Sequence, residues 1–338
     1  MVIAVSVDEK LLDLSGPDTT RLGSNSCPHG AIRDPLVAVL LCTANGASFL
    51  ERQLESIAAQ SHRSLKLVIS DDGSTDSTMQ LIEQFRLRHQ QLPVEVRKGP
   101  EKGFSVNFMS IACDAGIEAD YFAFSDQDDV WLRDKTERAL EWLQAVAPGV
   151  PAMYCGRTEA IDEVGRVLGL SPLFAKAPSF KNAIVQSLAG GNTIVLNRAA
   201  RDLIVAAGML PVVSHDWWFY QLVTGVNGLV LYDPQPFVQY RQHASNVIGS
   251  NSGWGARWRR IKGLFIGRFQ TWNDINVGAL ERIAFRLEPE NRAVLERFQR
   301  MRDAGFTTRL TGLIGSGIYR QTFLGNVGLF AAALLKKI

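Results

Sequence analysis

The sequence predicts an α/β protein built on a doubly wound, mostly parallel sheet with a C-terminal helical appendage. Three observations carry that reading. Short continuous apolar runs end in clusters of Asp, Ser, Thr and Gly, segments with apolar residues at helical intervals separate the runs, and the last quarter of the chain turns helical, basic and aromatic.

The elements follow in order. Residues 1–35 carry Gly, Pro, Ser and Asp without a clear period and read as an N-terminal extension. "PLVAVLLCT" is a continuous apolar run ending at Thr43, the pattern of a parallel strand covered on both faces. Ser48 and Glu51 stand at capping-box spacing ahead of "FLERQLESIAAQ", whose apolar residues recur at helical intervals. "LKLVIS" reads as the next strand; it runs into "DDGSTDS" and then a helix over about Met79 to Arg88. "PVEVR" is a third strand, "FSVNFMSIACDAGI" a third helix and "YFAFS" a fourth strand. After a helix over Lys135 to Ala147 come "AMYCGR", "GGNTIVLN", the helix-like "RAARDLIVAAG", "HDWWFYQLVTGV" and a short strand "GLVLY", a more mixed half. The expected boundaries are 1–35 for the extension, 36–250 for the α/β domain and 251–338 for the basic helical region.

Composition bounds the function. With 338 residues, 46% of them hydrophobic, the chain can bury a full core. Cys27, Cys42, Cys113 and Cys155 form no C-x-x-C pair, so neither a zinc knuckle nor a disulfide framework is indicated and a reducing cytoplasm fits. The start "MVIAVSVDEK" has no basic residue ahead of its short apolar stretch and acidic residues follow at once, unlike a secretory signal, and nothing reaches the roughly 18 apolar residues of a membrane-spanning helix. Charge is nearly balanced at 36 basic against 34 acidic residues, which argues against nucleic acid as a partner. It is unevenly spread: from Gly255 onward there are about 15 Lys or Arg and about 6 Asp or Glu. No G-x-G-x-x-G at a strand–helix junction, Walker lysine, H-E-x-x-H or G-x-S-x-G is present, so dinucleotide oxidoreductases, P-loop enzymes, zincins and esterases lose ground.

In a sheet of this kind ligands sit beyond the carboxyl ends of the strands. That places Thr43 to Asn45, Ser70 to Gly73 and Ser125 to Asp129 around one crevice. In "SDQDD", Asp126 and Asp128 are separated by one residue and can face a single hard divalent cation; a solvated loop with a helix-capping Asp fits the same letters. In "VISDDGSTDST", Asp71 or Asp72 can accept from a ribose hydroxyl or a base N–H, and the segment also fits an ordinary strand-to-helix turn. In "SHDWWFYQL", Asp216 is either a general base or a helix-starting acid, with Trp217 and Trp218 packing. In "YRQHASN", His243 is either a metal ligand or a surface histidine.

Taken in this order, the motifs "LLCTANGASFLERQLESIAAQS", "LVISDDGSTDST", "KGFSVNFM", "FSDQDDVW", "GGNTIVLNR", "HDWW" and "YRQHASN" resemble those of family 2 glycosyltransferases with the glycosyltransferase-A fold, most closely bacterial rhamnosyltransferases of polysaccharide assembly. The resemblance spans about Leu36 to Val247. It implies that Thr43, Asn45, Asp72, Asp126 and the neighbouring Gln127 contact a nucleoside-diphosphate sugar. It further implies that Asp128 and His243 hold Mg²⁺ or Mn²⁺ on the diphosphate, and that Asp216 is the catalytic base. Many relatives have Glu-Asp where this chain has His215-Asp216, which puts the role of the first residue in doubt. A base and a leaving group on opposite faces of the sugar imply inversion.

A lipid-linked saccharide acceptor is expected by the same resemblance. "ARWRRIKGLFIGRF" has the composition of a helix lying on an anionic membrane, or of one packing on the catalytic domain with its arginines solvated. Two rivals stand beside this reading. "YFAFSDQDDV" also satisfies the strand-D-x-D-x-V of haloacid dehalogenase-like phosphatases, although three strand–helix units precede it here. The other rival is a non-catalytic membrane-associated scaffold that binds nucleotide sugars.

Overall fold

The computed structural model describes residues 33–188, 190–243 and 268–338, and its organising element is strand β1 (Val37–Thr43), buried at every position. The reason is the two-residue period of a strand: Val37, Val39 and Leu41 enter one core, Ala38, Leu40 and Cys42 the other. A run with no polar position before Thr43 is thus what a strand between two helical layers requires.

Strands β2 (Leu65–Asp71), β3 (Val94–Lys98) and β4 (Tyr121–Ser125) run parallel with β1, in the order β3-β2-β1-β4. Helices α1 (Leu50–Ala58), α2 (Thr78–Arg88) and α4 (Lys135–Leu143) cover one face, placing Leu54, Ile57, Phe85 and Leu140 in its core. On the other face lies α3 (Phe104–Ala112), with α6 (Arg198–Ala207) and α7 (His215–Gly225). Helix α7 is buried at every residue, with His215, Asp216, Gln221 and Thr224 among its apolar side chains, so it has no solvent-facing side.

The second half of the sheet is mixed. Strand β8 (Val195–Asn197) lies antiparallel to β4 and to β6 (Ala152–Ile161), and β9 (Leu229–Arg241) runs parallel to β6. Strand β9 is far longer than the expected "GLVLY". Its Pro234 and Pro236 read as strand breakers, but the β6–β9 register shifts between Gly156 and Thr158, so the prolines fall in the irregular stretch and pairing resumes at Val238. A two-residue strand, β5 (Val130–Trp131), pairs antiparallel with β9, Val130 opposite Gln239. This short pairing carries "SDQDD" to the end of β9. Strand β7 (Val167–Leu170) folds back on β6, and α5 (Phe180–Ala183) precedes the turn Gly191–Thr193.

The expected capping box at Ser48 and Glu51 does not form. The N-cap of α1 is Phe49, with no side-chain cap, and the first turn is instead closed by Phe49 and Leu50 N–H groups donating to Gly46 O. Helices α8 (Arg268–Arg282), α9 (Pro289–Asp303), α10 (Phe306–Ser316) and α11 (Phe323–Leu334) extend the core on the α7 side through Leu280, Phe298, Leu313 and Leu329. Asn291 donates to Thr224 O and Gly225 O, which closes the end of α7. The N-terminal extension through residue 32 and the basic segment up to residue 267 lie outside the described residues. Among the described residues no helix is long and apolar enough to cross a membrane.

Asp233, in the middle of β9, is 1% exposed and accepts from Arg138 Nε (2.8 Å), Tyr154 Oη (3.0 Å) and the Gln235 N–H (2.9 Å). Asp233→Ala leaves the buried Tyr154 hydroxyl and the Arg138 guanidinium without this acceptor. A loss of about 3 kcal/mol in unfolding free energy, read from urea titration, is the expected result.

Candidate active site

The loops that follow β1, β2 and β4 meet at one rim of the sheet because these strands are parallel and in register, Thr43 opposite Asp71 and Leu41 opposite Ser125. The loop after β1 has four consecutive backbone N–H groups that find side-chain acceptors from elsewhere. Ala44 donates to Gln127 Oε1 (2.9 Å), Asn45 to Ser74 Oγ (2.8 Å), Gly46 to Thr78 Oγ1 (2.9 Å) and Ala47 to Asp76 Oδ2 (3.1 Å). Gln127 returns its amide N–H to Ala44 O (3.1 Å), so both ends of this side chain hold the loop. Gly46 leaves room for this side chain, since a Cβ would stand 2.2 Å from Gln127 Oε1. Asn45 takes a left-handed φ of 50°, a conformation Asn tolerates better than most residues, and its Oδ1 accepts from Thr75 N–H (2.9 Å).

The two adjacent aspartates after β2 do different things. Asp71 is buried and accepts from Thr43 Oγ1 (2.7 Å), Ser74 N–H (2.9 Å) and Ser74 Oγ (2.6 Å). Asp72 is half-buried and accepts from Glu101 N–H (2.5 Å) and Gly103 N–H (2.9 Å), fastening the loop to the N-cap of α3. Thr43, Asn45, Asp72 and Gln127 therefore belong to one hydrogen-bonded assembly.

The segment after β4 is the acidic centre. Burial, then the charges of Asp129, Asp128 and Asp216, push the Asp126 carboxyl well above the usual carboxylate range. Asp129 is fully buried and accepts from Asn192 Nδ2 and from Arg241 N–H (3.0 Å); burial, with the charge of Asp128, pushes its carboxyl up to about 7. Arg241 donates from Nε to Asp128 O (2.9 Å) and from Nη1 to Asp162 O (3.0 Å) and Glu163 O (2.9 Å). Two residues on, His243 Nε2 meets Asp128 Oδ2 at 2.7 Å, its ring 4.9 Å from that of Phe49. Cys42 lies between the two groups of acids: burial raises its thiol well above the ordinary value, and the charges of Asp126 and Asp72 add to the effect.

Asp216 sits in the first turn of α7, 9% exposed, with Ser187 Oγ donating to its Oδ2 (3.2 Å). The adjacent tryptophans pack: Trp217 Nε1 donates to Ala183 O (2.6 Å) and Trp218 is fully buried. His215 stacks on Phe108 with centroids 4.0 Å apart and lies against Gly191, where a Cβ would come within 2.2 Å of Nε2. Neither ring nitrogen has a hydrogen-bond partner, and burial lowers its pKa to about 4, so it stays neutral beside Asp216.

Asp216, Asp126 and Asp128 are thus one electrostatic cluster, and His243 joins it across the β5–β9 pairing. Among the described residues no group of three His, Cys, Asp or Glu side chains has the geometry to hold a metal ion; Asp128 and His243 are a pair. Sequence reasoning assigned no part to Asn192 and Arg241, which serve Asp129. "GGN" before β8 and "RQH" after β9 were the available signals.

Comparison with known proteins bears on the family and the fold. Residues 38–204 match the profile of the family described as Glycosyl transferase family 2. The dTDP-rhamnosyl transferase RfbG of Shigella flexneri is 29% identical over 234 residues, which are 65% of this chain and 78% of that protein. An uncharacterized glycosyltransferase of Haemophilus influenzae is 29% identical over 222 residues, 63% of this chain and 67% of that one. Among solved structures, S. aureus TarS 1-349 in complex with UDP-GlcNAc superposes with a TM-score of 0.53 at 14% identity, over 89% of this chain and 90% of that one. The expected glycosyltransferase-A type of α/β fold is therefore present, with its C-terminal helices.

Two outcomes follow from the site's packing. Gly46→Ala forces Gln127 off the Ala44 backbone; the expected effect is faster amide exchange at Ala44 to Ala47, measured by hydrogen–deuterium exchange, with the global fold kept. The neutral His215 contributes stability that is full above pH 6.5, the unfolded value, and is lost as pH falls toward 4. His215→Phe should remove that loss: in urea titrations the stability of the wild type relative to the variant should fall by about 3 kcal/mol from pH 7 to pH 4, the oppositely acting raised carboxyls of Asp126 and Asp129 being common to both proteins.

Proposed function

Residues 38–204 belong to glycosyl transferase family 2, and from that premise we propose that the protein moves a sugar from a nucleoside-diphosphate donor to a saccharide acceptor, inverting the anomeric carbon. The observation that carries this reading is the contact of Asp128 with His243. The two lie 115 residues apart and are brought to 2.7 Å beside Asp126, Asp129 and Asp216.

The residues fit a divalent cation. A carboxylate oxygen suits Mn²⁺ and Mg²⁺ alike, an imidazole nitrogen suits Mn²⁺ better than the oxygen-seeking Mg²⁺, and a cation would offset the mutual repulsion of the surrounding carboxylates. Asp128 and His243 would hold the ion, with the donor's diphosphate and water supplying its other ligands; when bound, it would offset the charge on the departing diphosphate.

The chain's own groups do the rest. The loop of Thr43 to Asn45, with Asp72, would form the wall against which the nucleoside lies, and Gln127 would keep that wall in place. Asp126 would face the ribose or the donor sugar. Asp216 would accept the proton of the attacking acceptor hydroxyl; it is held by Ser187 at one oxygen and preceded in the chain by a neutral His215 rather than a second carboxylate. With the base and the leaving group on opposite faces, displacement is in line and no covalent enzyme intermediate forms.

The name of the Shigella relative supports dTDP-rhamnose as the first donor to try; the acceptor proposed with it is a lipid-linked saccharide. The position of "SDQDD" after the fourth strand, rather than the first, weighs against the aspartyl-phosphate chemistry of a phosphatase.

Asp128→Ala is expected to abolish metal-dependent binding of the nucleoside diphosphate in calorimetry. Asp216→Asn should leave that binding intact and lower kcat by a factor on the order of 10² to 10⁴. Equal loss of donor affinity in both variants would overturn the division of roles.

A further inference from the structure

Helix α11 (Phe323–Leu334) presents an apolar face to solvent although it is firmly held. Leu329, Ala332 and Ala333 are buried on its inner side. Arg309 of α10 donates from Nε to Ala333 O (2.5 Å) and from Nη1 to Ala304 O (2.8 Å), and Thr322 Oγ1 caps the first turn by accepting from Gly325 N–H (3.0 Å). On the outer side Phe323 is 81% exposed, Leu324 68%, Val327 50%, Leu334 43% and Leu335 52%. Phe323, Val327, Phe330 and Leu334 recur at three- and four-residue spacing, so they form one stripe along the helix. Burying such side chains in the core would be favourable, by about 1.5–3 kcal/mol each, and the fold leaves them out.

The charges around the stripe say what covers it. From Ala304 to Ile338 the chain carries no Asp or Glu, and beside the buried Arg309 its cations are Arg320, Lys336 and Lys337. Arg320 stands just before the stripe, and the exposed Lys336 just beyond it. An apolar face edged by cations complements a surface with anionic headgroups over an acyl layer. The 12 residues of α11 extend about 18 Å, short of the roughly 20 residues needed to span a bilayer, so the helix would lie in the interface plane. A second copy of the chain fits worse. Two such helices laid face to face would set Arg320 and the C-terminal lysines of one against cations of the other, whichever way they ran.

We propose that α11 docks the protein on an anionic phospholipid surface, with the stripe from Phe323 to Leu334 in the boundary between headgroups and acyl chains and Lys336 and Lys337 on the phosphates. The proposal does not depend on the transfer chemistry.

Flotation of the full chain with vesicles of phosphatidylcholine and phosphatidylglycerol, compared with phosphatidylcholine alone, tests it. The wild type should float with the anionic vesicles, less so as salt is raised. Phe323→Glu combined with Val327→Glu should lower partitioning at least about tenfold while the circular dichroism melt stays as in the wild type, and Phe323→Ser should give a smaller loss. Lys336→Glu with Lys337→Glu should remove the preference for anionic vesicles. Unchanged flotation of the folded Phe323→Glu, Val327→Glu variant would overturn the proposal. So would a wild type that fails to float but forms a dimer, seen by light scattering, which that variant loses.

Discussion

A carboxylate with no access to water has to be met by hydrogen-bond donors, and Asp129 is met by two that come from distant parts of the chain. Asn192 reaches it from the turn before β8, and the Arg241 N–H from the end of β9. Left unpaired, a buried carboxylate would cost several kcal/mol. Satisfying it draws three segments to the rim at which β4 ends. Once Arg241 is fixed there, its guanidinium binds Asp128 O and the turn after β6, and His243, two residues on, has little choice but to lie beside Asp128. The contact that suggests a metal site is thus a consequence of how one buried acid is neutralised.

The other half of the site rests on a second device. A strand-to-helix loop normally leaves backbone donors facing solvent, yet Ala44 to Ala47 are held by Gln127, Ser74, Thr78 and Asp76. Side chains from the loops after β2 and β4 thereby set the shape of the loop after β1. A nucleotide entering this crevice would meet a wall whose position is already determined, which lowers the ordering cost of binding. Asp71 and Asp72 show how finely the work divides. The register that sets Thr43 opposite Asp71 turns the first aspartate inward to the loop, and leaves the second to reach α3.

Much of this was legible in the letters. The two-faced apolar runs of β1, β2 and β4 and their polar stops announce a parallel sheet and its ligand-bearing edge. Asp126, Asp128, Asp216 and His243 could be named because their residue types and order match a known family. What stayed hidden depends on partners far away in sequence. Strand β5 has two residues and no periodicity to detect; it exists because β9 pairs with it. Strand β9 looks broken by Pro234 and Pro236 until the shifted register against β6 makes room for them. Asn192 and Arg241 carry no local sign of their task, which only the burial of Asp129 defines. Ser48 and Glu51 had the letters of a capping box, and a backbone turn on Gly46 closed the helix instead.

In the proposed function Asp128 and His243 share a divalent cation in the presence of a nucleoside diphosphate. Pulsed electron paramagnetic resonance of the protein with Mn²⁺ and dTDP measures this directly, since an imidazole nitrogen on the metal modulates the echo. The modulation should be present in the wild type and absent in His243→Gln. A Mn²⁺–diphosphate complex that binds equally well to both proteins, with no nitrogen coupling in either, would contradict it.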